Sequence, residues 1–190
     1  MGKLTTVLVV FTMIIALRAA HGKSEGPKEV EDWWQNLNHA REKITKLRFY
    51  FHDFLQGKTP TTVRVAQAKM TDTSPTIFGE VNMMDDPLTV GPKITSELVG
   101  RAHGFYSSSS QEEIAYHCAI NFVFGGGEYN GSSLSVLGYN PVMNVYREMP
   151  IVGGSGAFRL ARGVATLTTY AFNFTQGSAI VEVNLVVLHY

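Results

Sequence analysis

The sequence predicts an all-β domain built as an antiparallel barrel, with a two-sheet sandwich as the second arrangement. Three observations carry this expectation. From Leu47 onward, segments of about six to twelve residues rich in Val, Ile, Phe, Tyr and Thr are separated by clusters of Gly, Pro, Asn and Ser. No helical stretch interrupts them, which disfavours βαβ crossovers and a parallel sheet. Consecutive antiparallel strands joined by short turns leave open edges unless the sheet closes on itself.

The expected strands, in order, are Leu47–Gln56, Val63–Met70, Ile77–Met84, Leu98–Ser107, Ile114–Phe124, Ser132–Gly138, Val142–Met149, Ala157–Tyr170 and Ile180–Tyr190. Alternation assigns faces. In the first strand Phe49, Phe51, Asp53 and Leu55 share one side, and Arg48, Tyr50, His52 and Phe54 the other. The last strand is apolar on both sides, with Val181, Val183, Leu185 and Val187 opposite Ile180, Val186 and Leu188. A strand coated on both faces predicts that the barrel exterior is also covered, by a second copy, a loop or the amino-terminal arm.

Two segments precede the strands. Lys3 followed by the apolar run Leu4–Leu17 and by small residues, with cleavage after Gly22, has the layout of a secretory signal peptide. The run is short of the ~20 residues that span a bilayer, so no membrane anchor is expected. Secretion makes Asn130-Gly131-Ser132 and Asn173-Phe174-Thr175 credible glycosylation acceptors at Asn130 and Asn173. Residues 23–46 form a charged arm. In it Trp33, Trp34, Leu37 and Ile44 could make the apolar stripe of a short helix, and residues 47–190 form the barrel domain.

Composition bounds the function. The chain has 190 residues, 45% hydrophobic, 11% aromatic and 17% charged, which suits one domain with a sizeable core. Sixteen basic and sixteen acidic residues leave no surplus for nucleic acid or anionic lipid. Cys118 is the single cysteine, so neither an internal disulfide nor a thiolate metal knuckle is available. The histidines beyond residue 22, His39, His52, His103, His117 and His189, lack paired ligand spacing, and no metal site or cofactor is expected. G-x-S-x-G, H-E-x-x-H and P-loop motifs are missing. Gly153-Gly154-Ser155-Gly156 reads as a tight turn rather than a phosphate cradle, since no Lys follows it.

What remains is a sparse set of polar groups among apolar strands. Asp53, on the face of Phe49 and Phe51, is either a buried acid with a raised pKa suited to proton donation or a rim acid bonding backbone amides. His52 and Asp53 point to opposite faces and form no local dyad. Asp85-Asp86-Pro87 reads as a capped turn. Arg101 and Arg147 could each be solvated edge charges, and Tyr106 plain packing.

Several of these stretches resemble the plant dirigent proteins. The likeness lies in Phe49-Tyr50-Phe51-His52-Asp53, in Asp85-Asp86-Pro87-Leu88-Thr89 and in the run Val99 to Tyr106. It continues in the run Arg147 to Gly156 and in Arg162-Gly163-Val164-Ala165, so that it covers about Leu47 to Tyr190. The resemblance implies an eight-stranded antiparallel barrel of calycin type, with one of the nine segments split or outside the barrel. It also implies an apoplastic homodimer or homotrimer. Such proteins carry no oxidative centre; an external laccase or peroxidase makes phenoxy radicals from a monolignol such as coniferyl alcohol, and the barrel orients their coupling. Tenfold enantiomeric preference needs only about 1.4 kcal/mol between two geometries.

Carried onto this chain, the resemblance implies Asp53 and Arg147 as catalytic residues. Tyr106, Asp86, Phe51 and Asn140 become substrate-binding residues. Where lignan-forming members read Ala-Asp-Pro, this chain reads Tyr139-Asn140-Pro141, and the family's bridging cysteines are absent. Asn140 cannot serve as an acid. Both departures point to a branch that includes dehydratases, which close a pterocarpan ring from an isoflavanol through a quinone methide. A non-catalytic binder of apolar ligands in the cell wall is the third reading.

Overall fold

The computed structural model describes residues 26–173 and 175–190. The expected signal peptide over residues 1–22 and Phe174 of the second acceptor motif lie outside the described residues. The chain divides into residues 1–38 and 39–190.

In the first unit, α1 spans Pro27–Asn36. Proline at its first position needs no N–H partner there, and the Glu29 carboxylate accepts the backbone N–H of Gly26, a reciprocal contact that satisfies a helix-start donor. Gln35 donates to Glu31 at 2.6 Å, one turn away. Ile44, expected to extend the helical stripe, belongs instead to the first strand and is exposed.

The second unit is the barrel. Its strands are β1 Lys43–Phe54, β2 Thr62–Ala66, β3 Val81–Thr89, β4 Leu98–Ser108, β5 Tyr116–Phe124, β6 Ser133–Asn140, β7 Tyr146–Ser155, β8 Arg162–Asn173 and β9 Ser178–His189. All pairings are antiparallel, in the order β1-β9-β8-β7-β6-β5-β4-β3. The circle closes where Tyr50 and Phe51 of β1 pair with Thr89 and Leu88 of β3. That makes eight barrel strands; β2 is the extra segment. It shares the outer edge of β3 with β1, pairing Thr62 with Met84 and Val63 with Met83.

This shared edge corrects one expectation. Asp85-Asp86-Pro87 is not a turn but the middle of β3. A proline inside a sheet removes a ladder donor and is tolerated only where that donor is not needed. Here β2 ends its pairing at Met84 and β1 begins at Leu88, while the Asp85 N–H reaches Thr61 O at 2.9 Å. Pro87, two residues on, therefore turns its nitrogen to the gap between β2 and β1. Gly153–Ser155, likewise expected as a turn, is the end of β7, followed by a single 3-10 turn over Gly156–Phe158. Gly154 is required for closeness: a Cβ there would sit 2.6 Å from Ser133 O and Phe158 O.

The two ends of the barrel differ. At one end an aromatic plug fills the lumen. Phe49 packs on Phe122 with ring centroids 5.0 Å apart, Phe124 on Phe158 at 5.7 Å, and Phe158 on Tyr129 and His189 at 4.8 and 5.1 Å. Toward the other end the aromatic filling gives way to a cavity. The wall seam is clasped by His52, which is wholly buried on the outer face. Thr89 Oγ1 donates to Gly91 O at 2.7 Å and so accepts from His52 Nε2, also at 2.7 Å.

Phe158 is fully buried and touches three aromatic rings of the plug. Phe158→Ala is expected to cost about 3–5 kcal/mol of unfolding free energy in denaturant titration, as large-to-small core changes do. Affinity for cavity ligands should persist under native conditions, because Phe158 does not line the cavity.

Candidate functional site

The cavity encloses about 620 Å³ and opens at the end where β1, β4, β6 and β8 finish. That volume falls within the range that takes a small organic ligand. Its walls are mostly apolar side chains that alternation turns inward, among them Phe51, Ile120, Phe122, Leu167, Val181 and Val183. The rim is apolar as well: Met143, Val145 and Phe172 are largely exposed there, Val145 at 81%.

One polar group on this wall is built on β1 and β3. Asp53 faces the cavity and accepts a hydrogen bond from the Tyr106 hydroxyl at 3.2 Å. Asp86, fully buried, lies behind it and does not line the cavity. Thr62, also fully buried, stands beside them: its Oγ1 is 3.3 Å from both carboxylate oxygens of Asp86, and it is near enough to Asp53 to lower that acid's pKa. The gap in the β3 edge lets this threonine, the first residue of β2, enter the wall.

Burial disfavours the ionised form of both acids. Desolvation pushes Asp53 up to about 6, against hydrogen bonds from Thr62 and Tyr106 that pull it down. Desolvation, then repulsion from Asp53, pushes Asp86 up to about 8. The physical content is that two carboxyls in one dry wall resist double ionisation, so the pair holds a proton near neutrality. Tyr106 is raised strongly by burial and by Asp53 and stays a neutral donor. Its ring lies 4.8 Å from that of Tyr116, a cavity residue pushed up to about 12, mainly by burial.

A second polar group comes from β5, β6 and β7. Arg147 is 3% exposed, donates from Nη1 to Val142 O at 3.2 Å, and has Nε and Nη2 unpartnered. Burial lowers its pKa, yet a guanidinium remains a cation. Asn140 donates to Cys118 Sγ at 3.7 Å and leaves its Oδ1 without a partner. Cys118 is a buried free thiol pushed up to about 12 by desolvation, so it is inert as a nucleophile. Arg147, Asn140 and Cys118 all line the cavity.

The structure thus gathers Asp53, Tyr106, Phe51, Asn140 and Arg147 around one cavity and sets Asp86 one layer behind. Asp53 is an interior wall acid, not a rim acid held by backbone amides. Arg147 is not a solvated edge charge, whereas Arg101 lies on the outer face and pairs with Asp85. Asn130 stands on an exposed turn and Asn173 is the exposed last residue of β8, accepting the Thr175 N–H at 3.0 Å. Sequence reasoning missed Thr62, Tyr116 and Cys118. The alternation Tyr116, Cys118, Ile120, Phe122 along β5 is the signal that would have found two of them.

The profile of the family described as Dirigent-like protein matches residues 44–188. The chain belongs to the dirigent family. It is 49% identical to dirigent protein 21 of Arabidopsis thaliana over 151 residues, 80% of either chain. It is also 49% identical to pterocarpan synthase 1 of Glycyrrhiza echinata over 155 residues, 81% of this chain and 82% of that one. A solved structure of a pterocarpan synthase dirigent protein superposes with a TM-score of 0.75 at 49% identity, covering 80% of this chain and 87% of that one.

The acid pair makes stability depend on pH. Both folded pKa values lie above the ordinary value of about 4, so the native state binds more protons than the unfolded chain between pH 4 and 8, and stability falls as pH rises through that window. His52 acts in the opposite sense: its pKa is lowered by burial, so the stability it contributes is lost as pH falls below 6.5. Asp86→Asn keeps an acceptor for Thr62 and removes the buried charge. Its melting temperature should exceed that of the wild type by several degrees at pH 8 and by little at pH 4, as read by calorimetry.

Proposed function

We propose that this dirigent protein holds a phenolic guest in its barrel and dictates the stereochemistry of the bond the guest forms, with the Asp53–Asp86 pair supplying and recovering the proton of the ring-closing step. The observation that carries this reading is a proton-retaining carboxyl pair whose outer member, Asp53, faces a cavity lined mostly with apolar groups. The unpartnered Nε and Nη2 of Arg147 and Oδ1 of Asn140 offer donors and an acceptor to the guest's oxygens. Shape and two or three such bonds are enough to separate competing faces.

In the main reading the guests are monolignol radicals made by an external laccase or peroxidase. Two radicals pair their odd electrons in a carbon–carbon bond and leave quinone methides. Addition of a hydroxyl to a quinone methide then closes the ring. The quinone methide oxygen takes a proton from Asp53, and the hydroxyl that adds returns one.

A second reading is favoured by the proton held near neutrality and by the 49% identity to a pterocarpan synthase. An isoflavanol loses its hydroxyl as water with the Asp53 proton. Its phenolic proton leaves to water at the open end of the cavity to give a quinone methide; a second phenol adds to that carbon, its proton restoring Asp53 while the quinone methide oxygen takes a proton back from water. The sum is loss of one water, with no oxidant.

The setting proposed is the extracellular space. Supporting it are the leader-like residues 1–22 and the exposed acceptors Asn130 and Asn173. The molecule is proposed to assemble as a homo-oligomer through a row of exposed apolar side chains, Val63, Met83, Phe105 and Leu137, that the strand register aligns across the outer face. Phe105→Asp should convert a sedimenting oligomer to a monomer; a wild type that sediments as a monomer refutes the assembly.

Purified protein is given an isoflavanol without oxidase and, separately, coniferyl alcohol with laccase, with chiral product analysis. Turnover in the first assay selects dehydration; enantiomeric excess confined to the second selects oriented coupling. Asp53→Asn should reduce dehydration about 10²–10⁴-fold, or abolish the excess, while circular dichroism still reports the β-barrel. Unchanged rate and chirality in that variant would remove Asp53 from the site.

A further inference from the structure

Ile77 is a β-branched residue held at φ 53°, in the left-handed region that such side chains avoid. Leu160, the other described non-glycine with positive φ, lies on an exposed turn away from the cavity. Ile77, by contrast, lines the cavity, as do Pro75, Glu80 and Tyr116.

The backbone around it is bolted on both sides. Before it, Thr76 Oγ1 donates to Ser110 O at 2.7 Å, and Ser108 Oγ donates to Thr76 O at 2.7 Å. After it, the Phe78 N–H reaches Ser74 Oγ at 3.2 Å, Thr71 Oγ1 donates to Phe78 O at 2.8 Å, and the Glu80 N–H bonds Ile77 O at 3.2 Å. Two of these bonds tie the segment to Ser108 at the end of β4 and to Ser110 just beyond it, and the others hold residues 71–80 to one another around residue 77. A glycine would occupy this conformation without strain. The strain is therefore accepted for the sake of a side chain, and that side chain faces open cavity rather than completing the core. Strain that surroundings enforce at a ligand-facing position is a signature of specificity.

We propose that Ile77 is a specificity-determining residue of the cavity: its branched side chain, presented rigidly at the wall, sets the bulk of the aromatic guest that can lie there. The inference rests on the phenolic-guest reading and adds to it the residue that discriminates among guests.

The test measures binding of p-coumaryl, coniferyl and sinapyl alcohols, which carry zero, one and two methoxy groups, to the full-length protein by titration calorimetry. The variants are Ile77→Ala, which removes the branch, and Ile77→Gly, which also relaxes the backbone. The expected result is that both variants raise the affinity ratio of sinapyl to p-coumaryl alcohol at least about tenfold, with the melting temperature of Ile77→Gly equal to or above that of the wild type. A ratio unchanged in a well-folded Ile77→Gly, while the wild type binds these alcohols, overturns the role of Ile77 alone. A uniform loss of affinity for all three in step with a lowered melting temperature also overturns it, because that is the behaviour of a packing residue. A wild type that binds none of the three alcohols overturns this inference; failure to bind an isoflavanol as well overturns the phenolic reading beneath it.

Discussion

Two carboxyl groups set in one dry wall cannot both carry charge at low cost, and the rest of the site is arranged around that constraint. Asp86 is sealed behind Asp53, and Thr62 lies beside them with a single hydroxyl proton to offer. The hydroxyls of Thr62 and Tyr106 do not replace the water that two carboxylates would need. The remaining deficit is met by retaining a proton, so the pair behaves as one acid with one vacancy. The Tyr106 hydroxyl, itself too buried to ionise, fixes the orientation of Asp53 toward the cavity without competing as an acid.

The barrel makes this placement possible through an imperfection in its closure. A continuous first strand would pair along the whole of β3 and exclude Thr62 from the wall. Instead β1 and β2 divide the edge of β3, and Pro87 sits where a donor is not needed. The same opening admits Thr62 beside the acids. The aromatic plug at the far end stabilises the fold without help from the cavity half, so the site can stay open and polar in places. That half carries the strained Ile77 and the unpartnered Asp53 Oδ1, Asn140 Oδ1 and two nitrogens of Arg147. Functional regions tolerate local rule-breaking when the remainder of the fold is consistent.

Strand positions were legible because alternation and turn residues report pleat and chain reversal directly, and each of the nine expected segments overlaps an observed strand. The middle of β3 was not legible. Asp-Asp-Pro has the local chemistry of a turn, and only the division of the neighbouring edge between β1 and β2, a tertiary fact, allows it to run straight. Asp53 was legible from its parity with Phe49 and Phe51. Arg147 shares parity with Met149 and Ile151, which signals an inward side chain, but a lone arginine in a strand reads equally well as a solvated edge. Thr62 had no signal, since its role exists only once β2 lies across the gap. The bonds that hold Ile77 run within residues 71–80 and from there to residues 108–110, and no local pattern encodes a positive φ at an isoleucine.

Proton balance restricts how a guest can react in this cavity. A singly ionised acid pair and the Arg147 guanidinium together bury no net charge, so a neutral phenol can enter without leaving an unpaired ion behind. If Asp53 gives up its proton, the pair becomes doubly ionised, the state that burial disfavours most. The proton must therefore return within the same turnover, and in either proposed reaction the nearest source is the hydroxyl that adds to the quinone methide. That hydroxyl then has to approach from the side of the guest facing Asp53. In either proposed reaction the face of attack is thus chosen by the acid that must be restored, and stereochemical control follows from the same desolvation that raises the pKa values of the pair.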